Sequence, residues 1–499
     1  MALCALFDLS LRGRAERPAL TCDDADGRPV RWTFGDLERR SNQVAQLLRA
    51  RGVRAGERLA FQLPNTPAIL LLWVACAKLG VVVVPINVLY KGREVRHVVA
   101  DAEPVAVVTT PADAAQLPEG TAVWLVDALL AEAEAHPTTR PVVDPAEAPT
   151  ASSPMALVYT SGTTGASKGA VLTHGNFAAN ALALVTAWGI TEADRYLAAL
   201  PLFHVHGLGN GVHVWLASGC HLRLVPRFAH EQAAGWFRDY RPTLFFGVPT
   251  MYVRLLELDE AEAGALGGAL RLCVSGSAPL PAAVLEAFRA RYGQVILERY
   301  GMTETLMIAS NPLVGERRAG TVGVPLPMTT VSIRDDAGQP VAAGTSGELW
   351  VRGPHVCDGY WRRPDATAAA FVDGWFRTGD VGVQAADGYV TLEGRRSDLI
   401  ISGGFNIYPR EIEELLGALP GVVEAAVVGA PDRVRGEVPV AYVVCDAAVA
   451  DEALLAPVRA ELASFKVPRG VVRVAALPRN AMGKVQRHLL PAWTPPGTP

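Results

Sequence analysis

MALVYTSGTTGASKGAVLTHGN, residues 155–176, is the stretch from which the organisation of this chain can be read. Residues 155–159 are a short apolar run that leans toward β structure. The ten residues 160–169 then hold five hydroxyl side chains, three glycines and one lysine, and an amphipathic pattern resumes after them. That composition suits a loop that wraps phosphate. Glycine lets the backbone approach an anion and take positive φ, hydroxyls and free N–H groups donate to phosphate oxygens, and Lys168 adds a mobile positive charge. It is not a P-loop, because GxxxxGK[ST] must open a helix, whereas Lys168 follows Ser167 and precedes Gly169. A flexible Gly/Ser/Thr surface turn has the same composition, so the rest of the chain must decide between the two readings.

At 499 residues the chain exceeds what one hydrophobic core supports, and two or more domains are expected. Half the residues are hydrophobic and 19% are charged, a globular balance. The net charge of −4 offers no basic field for nucleic acid or anionic lipid, so a ligand's charge must be met locally. Seven cysteines stand singly with no CxxC, which points to a reducing, cytoplasmic setting and away from zinc or disulfides. The first residues, with Asp8, Arg12 and Arg14, lack a signal-peptide pattern. Residues 68–89 form the one membrane-like run, but Lys78, Gly80 and Pro85 break it; a buried helix followed by a buried strand is the reading.

Residues 32–52 show apolar positions at helical spacing and end at Gly52. Strands are expected at 58–62, 81–85 and 106–109 around a helix near 68–79, and this alternation implies parallel βαβ units. Residues 110–152 read as a peripheral helix and linker. The α/β rhythm returns through strands near 196–200, 222–225, 243–248, 270–274 and 295–299. Alternating patterns at 347–352 and 389–393 suggest an antiparallel barrel-like sheet, with WFRTGD (375–380) between them. From about 398 a small α+β unit begins, with helices near 410–416 and 454–465.

Two segments follow expected strands and so belong at a sheet's carboxyl edge, where α/β enzymes bind ligands. They are SGSAPL (275–280), whose small residues let a flat ring or acyl chain lie on backbone, and ERYGMTET (298–305). WFRTGD adds a carboxylate, which can accept two hydrogen bonds at once. Taken singly, these are an ordinary strand-to-helix turn, a helix cap and a loop acid.

TSGTTGASKG resembles the signature phosphate loop of the adenylate-forming superfamily, the acyl-CoA synthetases, adenylation domains and firefly luciferases. SGSAPL, ERYGMTET, WFRTGD, GRRSDLIISGGFNIYPREIE (394–413) and PRNAMGK (478–484) follow in that family's order. The resemblance implies an α/β fold: a large N-terminal domain of βαβ-type sheets with a barrel-like β subdomain, residues 1–396, and a small mobile α+β C-terminal domain, 397–499. It also implies roles. Thr160, Ser161, Gly162, Thr163, Thr164 and Gly165 would cradle the phosphates of ATP beside Lys168. Ser275, Gly276 and Ser277 would border adenine, and Ser277 the acyl pocket as well. Glu298, Arg299, Tyr300, Gly301 and Met302 would line the nucleotide, Tyr300 stacking on adenine. Thr303 would contact the α-phosphate, Glu304 would hold Mg²⁺, and Asp380 and Arg395 would take the ribose. Lys484 would bridge the carboxylate and the α-phosphate. Gly403, Gly404, Phe405 and Lys466 would face coenzyme A. Ser397 stands where relatives carry Asp or Lys as the hinge.

The implied reaction brings a carboxylate to the α-phosphorus of ATP, one anion to another, so catalysis is mainly neutralisation and positioning. A thiol, CoA or alternatively a carrier protein, then takes the acyl group. HVHGLG (204–209), RRAGTVGVPLP (317–327) and GGFNIYP (403–409), with the motifs above, look most like malonyl-CoA and methylmalonyl-CoA synthetases. A second carboxylate calls for arginine, whose fork binds it at two points. Arg299 is the first candidate. Arg271 is the second, although it lies roughly 13 Å from the site end of its strand at about 3.3 Å per residue, which favours a structural salt bridge. His204 and His206 could line the acyl pocket or simply pack. A fatty or aromatic acid ligase and a luciferase-like oxygenase share the motifs; an amino-acid module is disfavoured because no aspartate occurs at 200–210.

Overall fold

The computed structural model describes residues 1–24, 26–160, 167–402, 405–432, 435–445, 449–462, 464–480 and 483–493. Thr33 opens the first long helix, Phe34–Ala50, through a capping box: its hydroxyl accepts from the Asp36 N–H while the Asp36 carboxylate accepts from the Thr33 N–H. The membrane-like run becomes the helix Pro67–Leu79, with proline at its start and Gly80 at φ 70 closing it, followed by the strand Val82–Pro85. Every residue from Ala68 to Leu79 is buried, so its all-round apolarity reflects a central place in the core. No helix among the described residues is long and apolar enough to cross a membrane.

Two large sheets carry the first 325 residues. A six-stranded sheet runs in the order Val123–Leu125, Ala106–Thr109, Arg58–Gln62, Val82–Pro85, Pro154–Thr160, Lys168–Thr173; all neighbours are parallel except the last pair. In the nine-stranded sheet, the parallel run ends in Leu244–Gly247, Leu272–Ser275 and Leu297–Met302, and Leu306–Ser310 then folds back antiparallel. A five-stranded antiparallel sheet follows, from Thr330–Arg334 to Val390–Arg395, and the chain finishes in an α+β unit built on Val422–Asp432 and Gly436–Cys445.

Three local expectations change. The 110–152 stretch contains the edge strand Val123–Leu125 and the helix Val126–Ala133. WFRTGD, between those strands in sequence, itself opens the ten-residue strand Trp375–Gln384 at the centre of their sheet. After Lys168 comes a strand, Lys168–Thr173, before the helix His174–Ala187, which is why the lysine loop differs from a P-loop in backbone as well as in sequence.

Asn65 couples the two large sheets. It accepts from the Leu202 N–H at 2.9 Å and donates to the Leu200 carbonyl at 2.9 Å, fixing the turn that leads to His204. Asn65→Ala should lower the unfolding free energy by about 1–3 kcal/mol, read by urea denaturation; an unchanged midpoint would mean that the turn is held otherwise.

Candidate functional site

The phosphate-wrapping loop closes at its base. Thr160 pairs with Lys168 across the antiparallel strands, and the Thr160 hydroxyl donates to the Lys168 carbonyl at 3.4 Å. Ser161, Gly162, Thr163, Thr164 and Gly165 lie outside the described residues, as do Gly403 and Gly404. Next to the base, His97 Nε2–H donates to the Ser167 carbonyl at 2.7 Å. The Lys168 ammonium stands 5.4 Å from the centroid of the Tyr360 ring, a cation–π distance.

ERYGMTET spans the end of the strand Leu297–Met302 and a turn into Leu306–Ser310. Gly301 is obligatory there: a Cβ would fall 1.9 Å from the Leu306 carbonyl oxygen. The turn carries Thr303, half-buried, and buries the Glu304 carboxylate, which accepts from the Tyr360 hydroxyl at 2.9 Å. Burial pushes the Glu304 pKa up, while the Tyr360 hydroxyl and the nearby Arg395 charge pull the other way.

Asp380 is buried and gathers partners from two sheets. The Tyr300 hydroxyl donates to it, and Arg395, opposite it in strand register, makes an ion pair at 2.8 Å. The Asp380 charge raises the Arg395 pKa; burial first, and then the same charge, raises that of Tyr300. Lys484 sits on a tight reversal in which Gly483 takes φ 74 and Asn480 accepts from the Lys484 N–H at 3.0 Å. This reversal meets the helix Pro249–Leu256: a Cβ on Gly483 would stand 3.5 Å from Thr250 Oγ1. Lys484 is exposed, yet protein crowds its side chain; desolvation lowers its pKa, Arg395 adds to that, and Asp380 and Asp398 oppose it.

A second cluster lies around SGSAPL. Arg299 is only 4% exposed, and its Nε and Nη2 have no hydrogen-bond partner among the described residues. Its guanidinium lies against Gly276, where a Cβ would come 2.4 Å from Arg299 Cζ, so only glycine seats it. Burial lowers the Arg299 pKa to about 9. Ser277, at φ 70, holds its hydroxyl 3.1 Å from His206 Nδ1. The His206 N–H donates to His204 Nδ1, which leaves the proton of a neutral His204 on Nε2. Burial, and then the nearby Arg299 charge, lower both imidazoles, His204 to about 4. Arg299 is therefore a buried cation near two neutral rings.

Not every expected residue converges. Arg271 pairs with Asp194 at 2.6 Å and donates to the Trp188 and Gly189 carbonyls, so its fork is occupied and it is withdrawn as a substrate ligand. Lys466 pairs with Glu411 at 2.7 Å within the C-terminal unit. Phe405 begins a short strand, Phe405–Ile407, and Ser397 lies exposed in the single turn Arg396–Asp398. Ser275 is buried at its strand end, and Met302 stands at the turn. Glu298 points at the SGSAPL backbone, accepting from the Leu280 N–H at 3.0 Å, and its Oε2 has no partner among the described residues. Sequence reading missed Tyr360, His97 and Thr250; no spacing rule marks them, because their partners are distant in the chain.

The AMP-binding enzyme family matches residues 7–361, and the AMP-binding enzyme C-terminal domain matches 411–484. A feruloyl-CoA synthase of an Amycolatopsis species is 38% identical over 462 residues, covering 91% of this chain and 92% of that protein. A sulfoacetate–CoA ligase of Cupriavidus necator is 39% identical over 503 residues, covering 97% and 96%. Among solved structures, ATP-bound MatB from Rhodopseudomonas palustris superposes with a TM-score of 0.90 at 38% identity, with 98% of both chains covered. The apo form of MatB gives 0.82 at the same identity and coverage.

Glu298 supplies a pH test. Burial raises its pKa from 4.5 to about 7, with Arg410 and the Leu280 N–H pulling the other way. The folded state thus holds the proton more tightly, and that stabilisation, complete below pH 4.5, is lost as pH rises through 7. Glu298→Gln should remove a decline of roughly 3 kcal/mol, so its advantage over the parent in urea unfolding should be larger at pH 8 than at pH 5; parallel pH profiles would contradict the assignment.

Proposed function

We propose the function of this chain from one premise: it belongs to the AMP-binding enzyme family. It is an ATP-dependent acid:CoA ligase that works through an acyl-adenylate and releases AMP. Its acid, in our reading, is short and carries a second anionic group, with malonate and methylmalonate first. The observation that carries this is Arg299, a buried guanidinium with two donor atoms unpaired among the described residues, beside two neutral histidines. Isolating a charge in this way costs several kcal/mol, a cost that a desolvated carboxylate or sulfonate would offset. The likeness to a protein named sulfoacetate–CoA ligase supports an acid with two anionic ends.

In the first step, a carboxylate oxygen attacks the α-phosphorus, the bond to the β-phosphate oxygen breaks, and pyrophosphate leaves. Lys168 would meet the outer phosphates, Thr303 the α-phosphate, and Lys484 the oxygens between acid and nucleotide, while Asp380 and Arg395 hold the ribose. Glu304 suits Mg²⁺ that arrives with the triphosphate. It is one buried carboxylate, and no cluster of three His, Cys, Asp or Glu side chains capable of holding a metal occurs among the described residues. When bound, the ion neutralises phosphate charge. In the second step, the CoA sulfur attacks the acyl carbon, AMP leaves, and the thiol proton passes to solvent. We assign residues 1–396 and 397–499 to two bodies that swivel at Ser397 between the steps, taking Lys484 out of the thiol's path. The greater likeness to the ATP-bound than to the apo form of MatB fits the first-step arrangement.

A second reading, an aromatic or fatty acid as substrate, is favoured by the likeness to feruloyl-CoA synthase. A panel of malonate, methylmalonate, sulfoacetate, butyrate, octanoate and ferulate decides. The parent should prefer the first three, and Arg299→Met should lose those by about a hundredfold or more while sparing butyrate; preference for octanoate or ferulate overturns the dianion reading and leaves the ligase intact. Lys484→Ala should cut acid-dependent ATP–pyrophosphate exchange by about 10²–10³ and spare thioester formation from supplied acyl-AMP; equal loss in both would contradict the swivel.

A further inference from the structure

We infer that Tyr360 is a positioning residue for the adenylation step: its hydroxyl sets the Glu304 carboxylate and its ring face seats Lys168, so that one side chain fixes metal-side and phosphate-side charges relative to each other. The inference rests on the assignment of Glu304 to the metal and goes beyond it in naming what orients that carboxylate. Three independent contacts carry it. The phenol donates to Glu304 Oε1 at 2.9 Å. The Lys168 ammonium stands 5.4 Å from the ring centroid. The backbone around Tyr360 is pinned to both partners: the Cys357 N–H donates to the Glu304 carbonyl at 2.7 Å, and residues 358–361 pair along the strand that begins at Lys168. In that pairing the Val171 N–H donates to the Gly359 carbonyl at 2.9 Å, the Trp361 N–H donates to the Gly169 carbonyl at 2.8 Å, and Tyr360 lies opposite Ala170.

A tyrosine that merely packs would need none of this. Its hydroxyl could face water and its ring could meet any apolar neighbour. Here the hydroxyl meets a carboxylate that is otherwise desolvated, and a hydrogen bond to a charged group holds one carboxylate rotamer more firmly than a neutral pair would. A carboxylate fixed beforehand binds a cation without spending order on doing so. The ring likewise limits where the lysine head can go, because the face of an aromatic ring attracts a cation and its edge does not.

Calorimetric titration of ATP, with Mg²⁺ and with a chelator instead, tests this in the full chain without turnover. Tyr360→Phe keeps the ring and loses the hydroxyl; the tightening of ATP binding by Mg²⁺ should shrink about tenfold, while binding of ATP alone should stay within twofold of the parent. Tyr360→Leu loses both contacts and should weaken ATP with and without Mg²⁺. Glu304→Gln should abolish the Mg²⁺ effect. A full Mg²⁺ effect in Tyr360→Phe, with the effect lost in Glu304→Gln, overturns the role of Tyr360 alone. A full effect in Glu304→Gln overturns the metal assignment and this inference with it. Equal weakening of ATP alone by Phe and Leu would mean that the tyrosine only packs.

Discussion

The Asp380 carboxylate is desolvated at a point where separate parts of the chain meet, and its charge governs what can surround it. A buried anion must be paired and hydrogen-bonded. Arg395 meets the first need from the neighbouring strand, and the Tyr300 hydroxyl meets the second from the edge of the nine-stranded sheet. Lys484, from the last described residues, feels the same charge. Pairing at Asp380 therefore draws two sheets and the C-terminal unit toward one cleft. A ribose bringing two hydroxyl donors can replace the single phenolic donor, and exchanging one hydrogen bond for others of the same kind costs little.

Buried polar atoms without a partner among the described residues occur in several parts of the fold, Gln62, Trp73 and His213 among them, and one group of them gathers at the site. Trp73, Phe177 and His213 pack ring against ring in the main core. Around the cleft, Arg299, His206, Ser275, Glu298 and Thr305 all bury polar atoms that have no partner among the described residues. Such groups lower stability by about 1–3 kcal/mol each, so a fold that keeps several together must draw its stability from its apolar layers. Local rules tend to fail at functional sites because a ligand supplies the missing partner. The seating of Arg299 on Gly276 belongs to this pattern: a bare backbone there makes room for a cation that the apo fold does not need.

The features legible in the sequence were those whose chemistry is local. The loop composition at 160–169, the strand-then-motif order at 275–280 and 298–305, and the buried helix within 68–89 each express constraints among near neighbours. Features set by distant partners were not legible. Tyr360 lies 56 positions from Glu304 and on the far side of a sheet junction from Lys168 in sequence. Arg271 shows the same limit: its position along a strand favours a structural salt bridge, which it makes, but its partner Asp194 is not visible in the sequence. WFRTGD carries no strand signal because Gly379 and Thr378 interrupt the apolar alternation; the strand survives through pairing on both sides, with register shifts near that point. The edge strand Val123–Leu125 exposes two of its three residues, so it gave no apolar signal.

The proposed swivel at Ser397 would be physically cheap because of how the cores are divided. The apolar clusters around Ile400, Ile412 and Val427, and around Ala426, Val440 and Tyr442, draw their members from residues 400–493 alone. Across the turn the contacts are light: a Cβ on Gly483 would stand 3.5 Å from Thr250 Oγ1, and one on Gly394 3.7 Å from the Tyr408 ring. Parting side-chain contacts of this kind costs far less than parting a shared apolar core would. Arg487, by contrast, pairs with Glu413 and reaches Asp398 at 3.4 Å, so the segment after Lys484 is tied to the unit's own first helix and to the turn itself. The lysine reversal then has to travel with the unit as one body. In the proposed swivel, removing Lys484 from the site and opening it to a thiol would be a single motion about one exposed turn.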